Sequence, residues 1–372
     1  MSFIYRLLPP PSYLDFKAMG LDVSDRSIKY AEFADTKDGI RLKKIGKKDL
    51  NPGIIEAGEI KKPDELSAIL SSIFRPFALN YVIAALPEER AYISAMSLPE
   101  AEKEQIKEAV EIELPEKIPL PAGETIFDFE FMPRASESVG GAKITEDQVP
   151  HRDAVVYAFP KSVVQDYLKA YLSAGIKPVA FIMETAALSR ALVSENDAGR
   201  PIMIVDFGKT RTTFVIVSGG LVRFSSTVNV AGESLDRAIA KSSGLSLKEA
   251  EKIKKEKGML NTPENGKVYD AVLPVVAAVA DEIERHILFW NTHAEHVHQS
   301  EPEISKVILS GGDSNLIGFK EYLGFQLGLP VELGNAWINV APFEEYIPEV
   351  KFNESLEYSA AIGLALTALG AN

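Results

Sequence analysis

The sequence has no cysteine, only two tryptophans and no excess of basic residues. Without thiols there is no disulfide, thiolate zinc site, iron–sulfur cluster or cysteine nucleophile. Forty Lys and Arg stand against 53 Asp and Glu, a net charge of −13, the opposite of the basic surface a nucleic-acid binder uses. Apolar runs such as Val275–Ala280 fall far short of the roughly 20 residues that span a bilayer. The opening MSFIYRLLPPP is too short and too proline-rich for a secretory signal, so the expected compartment is the cytoplasm. No Gly-x-x-x-x-Gly-Lys-Ser/Thr loop occurs, which argues against a P-loop motor. No Gly-x-Ser-x-Gly occurs either, which removes the hydrolase elbow. What remains is 372 residues, 46% hydrophobic and 25% charged, enough for two or three compact units.

Residues 1–17, ending in Pro9-Pro10-Pro11, read as an irregular arm, because proline lacks the backbone donor that a helix or sheet needs. Apolar patterning then predicts strands at 18–23, 27–33, 40–50 and 81–86, and a helix at 64–74. Residues 100–116 hold seven Glu and two Lys beside Ile106, Ala109, Val110 and Ile112, an amphipathic helix with an acidic exterior. Pro115, Pro119 and Pro121 are expected to stop it. Residues 134–152 read as a loop, 154–159 as a strand and 161–174 as a helix closed by Gly175. On this reading residues 82–177 form a small α+β unit inserted in a larger one. Beyond it come a helix at 183–193, strands at 201–207, 212–217 and 221–228 with a tight Gly219-Gly220 turn, and helices at 234–243, 247–257 and 272–290. A strand at 304–309 precedes Ser310-Gly311-Gly312, and helices follow at 316–327 and 356–369.

Two segments are similar at a spacing of 184 positions. Gly20-Leu21-Asp22-Val23-Ser24-Asp25-Arg26-Ser27 and Ile204-Val205-Asp206-Phe207-Gly208-Lys209-Thr210-Arg211-Thr212 are each an apolar strand, an Asp, a turn of mostly small residues and a second strand. Backbone N–H groups in such a turn can bind phosphate oxygens. An Asp at the strand end can hold hydrated Mg²⁺, which prefers oxygen ligands. Two units facing each other would grip a triphosphate from both sides, and the glycines at 311–312 would let backbone approach a planar base.

This set resembles the actin-like ATPase superfamily. Within it the chain is similar to the type IV pilus assembly PilM family over roughly residues 18–370, most specifically through Ile118-Pro119-Leu120-Pro121 after the acidic helix. The resemblance implies an α/β fold, the actin-like ATPase fold of two related halves with an inserted small α+β subdomain. The expected division is the arm 1–17, a first half at 18–81 and 178–198 with the C-terminal helix 356–372, a partner-binding insert at 82–177, and a second half at 199–355 with 231–303 at its periphery. The implied role is a cytoplasmic nucleotide-binding adaptor, peripheral to the inner membrane. It would bind ATP and Mg and dock the cytoplasmic tail of a PilN-like membrane protein, with pilus motor ATPases and self-association as further contacts. Position by position, Asp22, Ser24 and Ser27 match the first phosphate loop, and Asp206, Gly208, Lys209, Thr210 and Thr212 the second. Glu251 and Lys254 match the segment beside ribose and base, and Gly311, Gly312 and Asp313 the adenosine loop. Asp22 and Asp206 would hold Mg through water, and Glu184 would orient an attacking water. Ser24 and Asp25 depart from the family pattern. Asp25 adds negative charge beside the phosphates, with Lys209 as the offset.

Alternatives of the same superfamily are a small-molecule kinase and an FtsA-like membrane tether. A kinase would need an Asp general base, and no separate motif offers one. A tether would end in a basic amphipathic helix, whereas residues 355–372 contain no basic residue. His286, His293, His296 and His298 crowd one region and could bind zinc, although no His-Glu-x-x-His occurs and imidazoles also suit a helix end. Lys241–Lys257, with six Lys and three Glu, reads first as a solvated helix face. The arm carries Tyr5-Arg6-Leu7-Leu8-Pro9, similar in chemistry to the partner tail, and so could itself occupy the partner groove.

Overall fold

The computed structural model describes residues 18–37, 39–77, 80–133, 151–197, 199–293, 302–342 and 344–370. The arm, most of the 134–152 segment, His296 and His298 lie outside them. The chain opens as a meander of β1 (Met19–Val23), β2 (Ser27–Thr36) and β3 (Gly39–Asp49). The two-residue strands β4 (Ile55–Glu56) and β5 (Glu59–Ile60) pair with each other. Helix α1 (Pro63–Phe74), opened by a proline that needs no hydrogen-bond partner there, leads to β6 (Tyr81–Leu86). A 3₁₀ turn at Glu88–Arg90 then feeds β7 (Tyr92–Pro99), α2 (Lys103–Lys117), β8 (Thr125–Phe131) and β9 (His151–Pro160). Helix α3 (Lys161–Ser173), β10 (Lys177–Met183) and α4 (Glu184–Leu192) follow.

A second series repeats the plan. It runs β11 (Ile202–Phe207), β12 (Thr212–Ser218), β13 (Leu221–Val228), α5 (Gly232–Ser243), α6 (Leu247–Lys257) and α7 (Gly266–His293). It continues with β14 (Val307–Ser310), α8 (Phe319–Leu327), β15 (Val331–Leu333), α9 (Phe352–Ser355) and α10 (Ser359–Ala368).

Two five-stranded sheets result, β3-β2-β1-β6-β10 and β13-β12-β11-β14-β15. In each, three antiparallel strands are followed by two parallel ones, in the same order. The two related halves are thus one topology used twice. In β11, Met203 and Val205 join the core under α5–α8, while Ile202 and Ile204 pack into the core shared with the first half. A strand buried on both faces needs this continuous apolar run.

Helices α4 and α10 occupy equivalent places, each after the last strand of its sheet, and they cross. A Cβ on Gly363 would stand 1.9 Å from the Ala187 carbonyl oxygen, so only glycine permits this approach. A Cβ on Gly20 would likewise lie 2.3 Å from the Ala361 carbonyl oxygen, seating α10 on β1.

Several sequence expectations change. The insert is narrower than 82–177: β6 lies inside the first sheet, and Tyr167 and Tyr171 of α3 belong to the first core. The inserted layer is the sheet β7-β9-β8 with α2, around Met96, Leu98, Val110, Leu114 and Val156. Pro115 does not stop α2, which runs to Lys117. A proline this close to a helix end removes little more than one backbone bond. Residues 151–152 are strand, not loop.

Candidate functional site

The two hairpin turns, residues 24–26 and 208–211, lie at corresponding ends of their sheets and meet between the halves. The turn after β1 is closed by Ser24, whose amide donates to the Ser27 carbonyl at 2.9 Å and whose hydroxyl donates to the same oxygen at 3.1 Å. In the turn after β11, the Gly208 amide donates to the Arg211 carbonyl at 3.1 Å. The first amides of α5 bond that second turn: Gly232 donates to the Gly208 carbonyl at 3.0 Å and Glu233 to that of Lys209 at 2.8 Å. Beside them β14 ends at Ser310 and is followed by Gly311, whose φ is +87°. A Cβ there would fall 2.4 Å from the Phe207 carbonyl oxygen, so this glycine is demanded by the neighbouring strand end.

Asp22 is 2% exposed and pairs with Lys29 Nζ at 3.3 Å. Asp22 and Lys29 stand directly opposite in the β1–β2 ladder. Burial raises the Asp22 pKa, against the pull of Lys29. Burial alone would depress the Lys29 ammonium, but Asp22, Asp206 and Glu184 outweigh it and keep it charged. Asp206 is pushed up to about 6 by burial, with Glu184 adding and Lys29 opposing.

Arg211, with its side chain 11% exposed, is the second central cation. Its guanidinium lies 2.7 Å from Glu89, 2.8 Å from Glu184 and 3.8 Å from Asp25. Burial disfavours its charge, and Glu184, Glu89 and Asp25 more than restore it. Five carboxylates (Asp22, Asp25, Glu89, Glu184, Asp206) therefore surround two cations.

The turns thus bring together Asp22, Ser24, Ser27, Asp206, Gly208, Lys209, Thr210 and Glu184, beside Gly311 and Gly312. Some expected roles shift. Asp25 does not face the cleft alone: its carboxylate accepts the amides of Ala57 and Gly58 at 3.1 and 3.2 Å. Its neighbouring cation is Arg211, whereas Lys209 lies 3.9 Å from Glu251. The Thr212 hydroxyl is turned to the Val230 carbonyl at 2.5 Å. Lys254, 3% exposed, is buried beneath the Gly311–Asp313 turn, between Asp236 at 2.9 Å and Asp313 at 2.6 Å. It braces that turn from below. Glu184 accepts an Arg211 N–H at 2.8 Å, so its carboxylate is engaged. His286 is a core imidazole between Phe214 and Phe224, its pKa lowered by burial. Among the described residues no group of three potential metal ligands gathers.

Sequence reading missed Lys29, Glu89 and the role of Arg211. Lys29 was readable: a four-residue turn after Val23 sets Asp22 opposite it. Glu89 and Arg211 meet only through the fold.

On the other side of α4 and α10 lies a groove of about 1120 Å³. Its walls come from β8 (Ile126, Glu130), β10 (Phe181), the end of α4 (Arg190) and the start of β13 (Leu221). Two glycines with φ of +61° and +77°, Gly219 and Gly220, make the tight turn that brings β13 there. The Tyr157 hydroxyl of β9 donates to the Val222 carbonyl at 3.2 Å, tying the inserted layer to the second sheet. No helix of the described residues is long and apolar enough to cross a membrane.

The profile of the type IV pilus assembly protein PilM family matches residues 20–369. Among solved structures, a PilM-PilN type IV pilus biogenesis complex superposes with a TM-score of 0.77 at 24% identity, covering 95% of this chain and 99% of that one. The ethanolamine utilization protein EutJ from Carboxydothermus hydrogenoformans gives 0.52 at 16% identity, covering 96% and 90%. MreB 5 of Spiroplasma citri bound to AMPPNP gives 0.52 at 12%, covering 95% of each chain. All three share the actin-like ATPase fold found here.

Proposed function

Because the chain belongs to the PilM family of type IV pilus assembly proteins, we propose that it is a nucleotide-binding adaptor of pilus assembly. It takes ATP with Mg²⁺ between its halves and the tail of a PilN-like membrane protein in its groove, and so associates with the inner membrane through that partner. The observation that carries this reading is the pairing of two equivalent Asp-bearing turns on equivalent sheets, with a glycine turn beside them. A hydrated hard cation needs few protein oxygens, and Asp206, a half-buried carboxylate that none of the ion pairs described above engages, offers one at the strand end, where a triphosphate without a metal would be repelled. Asp206 is the better Mg²⁺ ligand, because Asp22 is already taken by Lys29. The ion supplies charge neutralisation for the phosphates. Lys29 and the backbone amides of both turns orient them, and Lys254 holds the Gly311–Asp313 turn in place. Hydrolysis is expected to be slow, since Arg211 engages Glu184, the residue nominated to orient water.

The groove suits an extended apolar segment. The β8 face offers Ile126 and Glu130, and Phe181 and Leu221 supply apolar walls. Calorimetry with Mg-ATP tests the cleft. Binding is expected in the wild type and is weakened at least tenfold in Asp206→Ala; no binding to the wild type, in any nucleotide state, would overturn the reading.

A further inference from the structure

We propose that Arg211 and Glu89 form the pair through which occupancy of the cleft sets the width of the groove. This rests on the two-site reading above and names how its sites communicate. Arg211 belongs to the second turn. Glu89 touches the cleft only through Arg211: it stands in the 3₁₀ turn between β6 and the first strand of the inserted layer. The three partners of Arg211 are held unequally. Glu184 accepts an aligned N–H. Asp25 lies at 3.8 Å and has two backbone amides of its own. Glu89 lies at 2.7 Å, the shortest of the three, and Arg211 is its one cationic partner among the described residues. Glu89 has no such pair of amides to fall back on, so it is the carboxylate left uncompensated when phosphate oxygens entering the turn draw Arg211 away.

A carboxylate left buried without its cation must take up a proton or swing toward water. Either response displaces the Glu88–Arg90 turn. That turn is tied to both walls of the molecule. Thr185, on the first turn of α4, donates to Glu88 at 2.8 Å, and Ser225 on β13 donates to the other Glu88 oxygen. Helices α4 and α10 carry the displacement onward. Each begins at the cleft, at Glu184 and beside the Leu356 carbonyl that accepts the Gly311 amide at 3.2 Å. Each ends at the groove, at Arg190 and Thr367. Groove walls come from β8 and from β13, which belong to different sheets, so a change of angle between the halves changes its width.

The absence of cysteine makes the test direct. Cysteines placed at Ile126 and Leu221 of the full chain carry spin labels on opposing walls, and their separation is read by pulsed electron resonance with and without Mg-AMPPNP. Calorimetry on the same samples reads nucleotide affinity. The expected result is a shifted distance distribution on nucleotide addition. In Glu89→Gln, the unliganded protein already shows the shifted distribution and nucleotide adds nothing, and because the conformational cost is already met nucleotide binds at least about fivefold more tightly, the low end of coupling effects. Nucleotide binding with no shift in the parent, or a shift that survives in Glu89→Gln, overturns the pair while leaving the two-site reading intact. No nucleotide binding in the parent overturns both.

Discussion

Each of the two equivalent turns sends one arginine across to the opposite half, and the two sit in contrasting surroundings. Arg26, from the first turn, reaches Glu233 on α5 at 2.8 Å with both side chains about a quarter exposed. Arg211, from the second, reaches three carboxylates of the first half from a nearly buried position. Solvent screens the first pair, so its contribution is small. The second contributes mainly through what its loss would leave behind, buried carboxylates without a counter-charge. One topology used twice therefore does not give two equal clasps: the first is partly exposed and screened, the second nearly buried.

The largest effect is expected from removing the axis on which the comparison depends. Gly363→Val should prevent folding or lower the urea midpoint severely, because the added carbons meet the α4 backbone at Ala187. Arg211→Met should cost about 3–5 kcal/mol in urea unfolding. A cost below about 1 kcal/mol would mean the buried cluster is compensated elsewhere.

Glu88 sharpens the same contrast through pH. Burial raises its pKa from 4.5 to about 7, with the Ser225 and Thr185 hydroxyls opposing. The folded state thus keeps a proton that the unfolded chain releases, and stability falls as pH rises through that window, by up to roughly 3 kcal/mol. Glu88→Gln should flatten this slope and stabilise the protein relative to the parent above pH 7; an unchanged slope would assign the titration to another group, with Asp206 next in line. Smallest is Arg26→Met, expected to cost no more than about 1 kcal/mol and to be indistinguishable from the parent in high salt.

Much of this arrangement was legible in the sequence where information is local. The repeated strand–Asp–turn units announce the two sheets, and the helix expected at 247–257 is α6. Strands β7, β8, β10 and β15 were not foreseen: β15 has only three residues and β10 is apolar without alternation, whereas β8 does alternate and was missed. Among site residues, Asp22 and Asp206 announce themselves by position. Lys254 was expected beside ribose and base, and only the packing of α6 against the Gly311–Asp313 turn reveals it as buried beneath that turn. Thr212 matches a loop pattern, yet its hydroxyl serves the backbone of Val230. The Arg211–Glu89 contact joins turns of different halves, and no local pattern encodes it.

The crossing of α4 and α10 has a mechanical side. With a rise of about 1.5 Å per residue, Ala187 lies about 4.5 Å along the axis from Glu184 and about 9 Å from Val193, at the groove. The close approach at Gly363 fixes where the helices cross, and any turn of one on the other, as the coupling proposed above requires, is centred there. Helix α4 is then a lever with unequal arms. A displacement at the cleft end reaches the groove end roughly doubled in amplitude and reduced in force by the same factor, a ratio suited to signalling and poorly suited to doing work.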